Sequence, residues 1–387
     1  MDKTGPRPMN AAARLTLLIA VTVPLCVPLS AAFADPPIFE YTINLPNSSP
    51  VYVAVTPHWD AWFNDVRNNV IGFVPYNDLT TYEFPLVPNN AAPLSISNSA
   101  RSDRDAFITM EGDVWFTEFG SGKLGTIDRS GTMTETSRFS PAEWRPVLRV
   151  PPPGDQHASI TPLDVIVRPD GAVWFTEPTR HRIGRYMNGN LTFYHAPTMG
   201  APLMLASGPD GSLWFTETVS GWIGKFENGT FAEFTAPNAA FNPISIDKSV
   251  LFDTIMPARL AVRGDGTVYF TKNWPIASGD SQIGKLDKAG KIRYLQTPTA
   301  NAGPADVTIG PDGDVWFTEY RANKIGHIDA SDVITEIPLP TANSGPLGIG
   351  ATQDRAIFAE HKSGKIGILR WGIIPRTRPD PAVSTEH

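Results

Sequence analysis

The 387-residue chain carries 32 basic against 39 acidic side chains, a formal charge of −7, and shows no basic run or basic-aromatic stripe. That balance excludes the phosphate-neutralising surface that nucleic-acid binding needs. A single cysteine, Cys26, excludes a disulfide framework.

In chain order, Lys3, Arg7 and Arg14 precede an apolar run from Leu15 to Leu29, and Ala32-Phe33-Ala34 gives a small-x-small cleavage pattern. Residues 1–34 are therefore expected to be a signal peptide, and the protein to be secreted or periplasmic. As a membrane anchor the run is short and broken by Pro24 and Pro28, and no other stretch reaches spanning length. Leu25, not a small residue, precedes Cys26, which argues against lipidation. Cleavage after Ala34 removes the cysteine and takes the formal charge to about −9.

From residue 38 onward the sequence is periodic. Phe63, Phe116, Phe175, Phe215, Phe270, Phe317 and Phe358 are each followed by an Ile-Gly or Leu-Gly pair, ending at Ile366-Gly367. The clearest copy defines the grammar of one unit. A Pro and a short apolar run, Pro304 to Gly310, predict a buried strand A, and Pro311-Asp312-Gly313 predicts a tight turn. Val315-Trp-Phe-Thr-Glu319 is aromatic and β-branched, a strand B, and Lys324 to Ile328 reads as strand C. Val333 to Ile337 alternates apolar with polar, as an outer strand D should. Seven four-stranded antiparallel units at this spacing predict an all-β, seven-bladed β-propeller over residues 35–375, with a disordered tail at 376–387.

Residues 38–45 look like a strand D without a preceding blade, whereas the last copy has strands A to C and no D. The N-terminal strand is thus expected to complete the last blade and remove two sheet edges at once. Extra residues fall at 89–103, 139–161 and 240–256, read as D-to-A connections, and at 273–282, a B-to-C connection. All four would lie on one rim, which marks that face as the working one. Trp144, His157, Trp274 and Asp280 are expected around its mouth.

Two rings of candidates follow. The residue after each strand-A Pro, or at its spacing, should face the central channel: Val51, Arg104, Leu163, Leu203, Ala258, Ala305 and Leu347. Arg104 either binds an anionic ligand group or pairs with a neighbouring carboxylate. At the end of strand B stand Asp65, Glu118, Glu177, Glu217, Lys272, Glu319 and Glu360. They either pair with bases of the B–C loops (Arg67, Lys123, Arg182, Lys324, Lys365) or collect a hard cation such as Mg²⁺ or Ca²⁺. His361, beside Glu360, is the histidine best placed for base or ligand duty; His181, His195 and His327 are scattered. No Gly-x-Ser-x-Gly elbow, helical metalloprotease motif or phosphate loop occurs.

The repeats Gly-Pro-Asp-Gly-Asp-Val-Trp-Phe-Thr-Glu (310–319) and Gly-Pro-Asp-Gly-Ser-Leu-Trp-Phe-Thr-Glu (208–217), with Asn323 to Ile328 and Ile334 to Pro340, resemble the virginiamycin B lyase family. The resemblance covers all seven units. It implies a seven-bladed propeller that linearises cyclic depsipeptide antibiotics by Mg²⁺-dependent elimination at an ester. It also implies a His after the strand-A Pro in each of the last two blades, but these positions are Ala305 and Leu347 here. A metal-holding carboxylate of the family corresponds to Gly345, and its last carboxylate to Glu360 or His361.

The resulting expectation is an exported, monomeric propeller that binds a small-molecule or cell-envelope ligand through its loop-decorated face, using Arg104, Glu118, Glu177, Glu217, Lys272, Trp274 and Glu319, without lyase activity. The alternative is a metal-dependent lyase of lactones or depsipeptides, with His361 and Glu360 catalytic and Glu319 and Glu360 holding Mg²⁺.

Overall fold

The computed structural model describes residues 38–56, 60–75, 80–87, 91–98, 113–128, 130–135, 161–198, 200–217, 221–235, 259–271 and 281–370. The unit read from the sequence is one antiparallel sheet, with strand A at Pro304–Ile309, B at Val315–Glu319, C at Lys324–Ile328 and D at Ile334–Pro338. Seven such four-stranded sheets form a seven-bladed β-propeller. The last blade consists of Pro346–Ala351, Arg355–Glu360 and Lys365–Arg370, and its fourth strand is the N-terminal Ile38–Thr42. Ile38 pairs with Leu369 and Thr42 with Lys365, so the first strand closes the ring as the sequence predicts.

The register explains why each unit keeps one Phe and one Gly. In every blade the strand-B Phe lies opposite the strand-C Gly, as in Phe317 with Gly326. A Cβ on Gly326 would sit 2.1 Å from the Phe317 ring, and the other six glycines show the same contact at 2.0–2.1 Å. The ring therefore lies flat over the strand C backbone, and all seven phenylalanines are fully buried. Apolar clusters then fill each gap between neighbouring blades, for example Trp316, Ile325 and Ile337 of blade six with Ile349, Phe358 and Leu369 of blade seven.

The Thr of the Trp-Phe-Thr-Glu segment joins one blade to the next. Thr176 Oγ1 accepts from the Asp164 N–H of its own strand A at 3.1 Å and donates to the Leu203 carbonyl of the next blade at 2.7 Å. Thr117, Thr271 and Thr318 do the same, and in blade one Asn64 substitutes with its two amide ends. Blade seven has Ala359 at this position. Its junction with blade one instead relies on Gly348, where a Cβ would lie 2.6 Å from the Tyr52 Cα.

Two residues after each strand-A Pro the side chains meet at the axis. Asp164, fully buried, accepts from Ser95 Oγ of blade two at 2.5 Å and from the Leu205 N–H of blade four at 2.7 Å. Arg259 of blade five donates to Asp164 at 3.3 Å and lays its guanidinium 3.8 Å from the Tyr52 ring centroid of blade one. Its Nε lies 3.9 Å from Asp306 of blade six, which accepts from the Ile349 N–H of blade seven at 3.0 Å. Burial works against the guanidinium charge, but Asp164, Tyr52 and Asp306 outweigh it and raise the Arg259 pKa. One polar network thus touches all seven blades.

Two measurements test this closure. Deleting residues 35–46 should expose the edge of Lys365–Arg370, lower Tm and cause aggregation; an unchanged Tm and monomeric state would disprove the shared blade. Arg259→Met should leave Asp164 buried without its cation, costing about 3–5 kcal/mol by chemical denaturation.

Candidate functional site

The antiparallel topology puts the B–C and D–A loops on one rim and the A–B and C–D turns on the other. Segments 139–161 and 240–256 join a strand D to the next A, and 273–282 joins B to C, as the sequence reading has them. The fourth is corrected. Blade two's strand A is Pro93–Asn98 and its strand B begins at Val114, so the long connection is 99–112, between A and B and on the opposite rim. The strand-A position expected at Arg104 belongs to Leu94. The absence of a Pro-Asp-Gly turn in this copy obscured the true strand behind Pro93. Arg104 itself lies outside the described residues, as do Trp144, His157, Ala258, Lys272, Trp274 and Asp280.

The acids at the ends of strand B are all fully buried: Asp65, Glu118, Glu177, Glu217, Glu319 and Glu360. Their hydrogen-bond partners come from the B–C loops and from the D–A connections. Asp65 accepts from Ser48 Oγ at 2.7 Å, the Ser49 N–H at 2.9 Å and Asn68 Nδ2 at 3.0 Å. Glu177 takes Arg182 Nε at 2.5 Å and lies 3.3 Å from Arg180 Nε. Glu217 accepts from Thr198 Oγ1 at 3.1 Å. Glu118 and Glu360 accept from the loop hydroxyls of Ser121 and Ser363, at 2.5 Å and 2.9 Å.

Lys123, Lys324 and Lys365 do not neutralise these acids. They form salt bridges to the strand-D carboxylates Glu135, Glu336 and Glu40, two strands away. Glu319 is left with neither carboxyl oxygen hydrogen-bonded, in full burial. Burial first, and the Glu336 charge second, push its pKa up to about 8. Burial likewise pushes Glu118 and Glu360 up to about 7, aided by Glu135 and Glu40 respectively.

His361 follows Glu360 and turns toward blade one, with Nδ1 3.0 Å from Ser49 Oγ and 3.3 Å from the Pro50 carbonyl oxygen. Burial lowers its pKa, so the ring is neutral at pH 7. Ala305 and Leu347 are buried at 6% and 4% exposure, and Leu163 and Leu203 at the equivalent positions of blades three and four are buried as well. At Gly345, φ is +62°, and an added Cβ would lie 2.9 Å from the Tyr320 ring and 3.1 Å from the Lys362 stem. Tyr320 and Lys362 thus clasp the backbone there, with the ammonium 4.3 Å from the ring centroid.

The donor set does not suit the Mg²⁺ that the resemblance implies. Glu319 and Glu360 belong to different blades, each fully buried, and burial raises the pKa of both. Among the described residues no three His, Cys, Asp or Glu side chains group as ligands. A hard cation needs ionised oxygens converging on one point.

Comparison with known proteins follows the repeat. The virginiamycin B lyase family model matches residues 154–273 and 249–372. A virginiamycin B lyase of Nocardia farcinica is 30% identical over 214 residues, which span 55% of this chain and 61% of that protein. The crystal structure of virginiamycin B lyase from Staphylococcus aureus superposes with a TM-score of 0.68 at 27% identity, covering 87% of this chain and 99% of that one. A catalytically inactive histidine-to-alanine variant of the same enzyme, crystallised with quinupristin, gives 0.67 at 26% identity, with the same shares covered.

Three of the buried acids, Glu118, Glu319 and Glu360, carry a pH signature. Their folded pKa values lie above the unfolded ones, so their contribution to stability is complete below about pH 4.5 and is lost as pH rises through 7 to 8. Glu319→Gln should remove on the order of 2–4 kcal/mol of that loss between pH 5 and 8. Urea denaturation at pH 5, 6, 7 and 8 measures it, and parallel pH curves for the two proteins would rule the reading out.

Proposed function

Because this chain belongs to the virginiamycin B lyase family yet has Ala305 and Leu347 at the two positions where the resemblance places histidines, we propose that it is an exported, monomeric ligand-binding propeller of that family without lyase activity. Elimination needs a base within hydrogen-bond reach of the proton α to the carbonyl. Two buried apolar side chains supply none, and this observation carries the reading. The inactivity of a relative's histidine-to-alanine variant supports it. His361 is engaged with Ser49 and Pro50 at the junction of blades seven and one. A propeller held by its repeats keeps its shape after such a site is lost. The B–C and D–A rim, with its long connections, is the face proposed to take the small-molecule or envelope ligand.

One observation favours a second reading, a rearranged lyase acting on a lactone or depsipeptide: both oxygens of Glu319 lack a hydrogen-bond partner. Its separation from Glu360 by a blade boundary weighs against the pair acting on one cation.

A type B streptogramin incubated with the purified protein and Mg²⁺ should remain cyclic at the level of a protein-free control. Elimination leaves the mass unchanged but alters chromatographic retention and fragmentation, whereas hydrolysis adds water, so mass spectrometry separates the outcomes. Metal-dependent ring opening at constant mass, lost in Glu360→Ala or His361→Ala, would overturn the proposal.

A further inference from the structure

The two rims of the propeller differ in charge. On the A–B and C–D rim the turns carry Asp128, Asp170, Asp210, Asp265, Asp287 and Asp312. On the B–C and D–A rim the loops among the described residues carry no exposed acid, since the strand-B acids are sealed beneath them. What those loops do expose is a row of cations. Arg321, Lys362 and Arg67 are exposed and occupy the same loop position, two residues after the terminal acid of strand B, in blades six, seven and one. Among the described residues none of the three has an acidic partner; Lys362 donates to Asn343 Oδ1 at 3.2 Å. The Lys362 ammonium lies 4.3 Å from the ring centroid of Tyr320, the neighbour of Arg321, and His361, the neighbour of Lys362, contacts Ser49 and Pro50 of blade one.

Between the cations stands the half-buried Tyr320 ring, held against Gly345. One cation per blade along a curved rim, with an aromatic face between them, matches a polymer bearing regularly spaced carboxylates on sugar rings. Arg forks bind carboxylate in bidentate fashion, and the Tyr320 ring, one face of which carries the Lys362 ammonium, has its remaining exposed surface for a pyranose ring. A long nucleic acid fits worse, because three cations supply little counterion release and the acidic opposite rim repels it.

We propose that the arc Arg321, Lys362 and Arg67, with Tyr320 between Arg321 and Lys362, binds an acidic polysaccharide on the B–C and D–A rim. This rests on the ligand-binding reading above and narrows it to a polycarboxylate. Both chain ends of the described structure lie away from the arc: Ile38 pairs with Leu369 at the acidic rim.

The test is titration of the full chain with polygalacturonate in low salt, with methyl-esterified polygalacturonate and neutral dextran as controls. Polygalacturonate should bind, weakening with added salt, and the esterified form should bind at least about tenfold less tightly. The triple variant R67Q/R321Q/K362Q, exposed at all three sites, should lose about tenfold or more and flatten the salt dependence, while D312N on the other rim should not. Tyr320→Leu should weaken binding with the salt dependence kept. Polygalacturonate binding that survives the triple substitution, or no binding at all, would overturn the proposal. Polyphosphate or single-stranded DNA binding as tightly as polygalacturonate would overturn the carbohydrate assignment. Binding of dextran alone would reject the charge argument and leave the ligand-binding reading standing, whereas streptogramin ring opening would reject that reading and not this one.

Discussion

The salt-bridged centre on Arg259 is the constraint on which the ring depends. A circular array of sheets has no intrinsic reason to stop at seven, and inter-blade apolar packing is non-directional. The axial network supplies direction. Asp164 gathers Ser95, Leu205 and Arg259, and Arg259 crosses to Tyr52 and toward Asp306, which holds Ile349. With a buried cation between two carboxylates, each charge is tolerable only while the others are in place. Around this centre the strand-B threonines repeat one bridge from blade to blade, and the one described junction without a bridging hydroxyl or amide, at Ala359, is where Gly348 lets Tyr52 come close.

The same economy of hydrogen bonds decides the electrostatics of the rims. At the end of strand B each described acid turns inward, and in blades two, six and seven the neighbouring Lys reaches past it to strand D, whereas Arg182 pairs with Glu177. Burial raises the pKa of Glu118, Glu319 and Glu360 above the usual carboxylate range, while in blades six, seven and one the loops above the terminal acids expose Arg321, Lys362 and Arg67. Among the described residues the acids read in the sequence are buried and these bases are exposed. Burial, not composition, sets the sign of that surface.

Family membership and site chemistry separate cleanly in this molecule. The Phe over Gly contact, the Pro-Asp-Gly turns and the threonine bridges belong to the scaffold, and the family match runs over blades three to seven of it. The B–C and D–A rim is carried by loops and by the residues just after each strand-A Pro. There this chain has Ala305, Leu347 and a Gly345 clasped by Tyr320 and Lys362. Scaffold likeness therefore constrains the shape of the ligand surface far more than its chemistry.

The amino-acid sequence by itself determined the blade: its period, its strand order, the pairing of Phe with Gly, and the closure of the last sheet by residues 38–42. Those features are local or periodic, and a side chain's face in a strand follows from its neighbours at a spacing of two. It also marked Glu319, Glu360 and His361 as lying on the B–C rim. Only the tertiary structure decided that the acids are sealed, that Lys324 answers Glu336 and not Glu319, and that blade two's strand A begins at Pro93, leaving Arg104 off the ring. The axial residues Tyr52, Ser95, Asp164, Arg259 and Asp306 went unread, although all but Ser95 stand next to a position that was singled out, because their type does not follow the repeat. Their partners lie far along the chain, 95 residues for Asp164 and Arg259, and chemistry that depends on contacts across the ring leaves no period in the sequence.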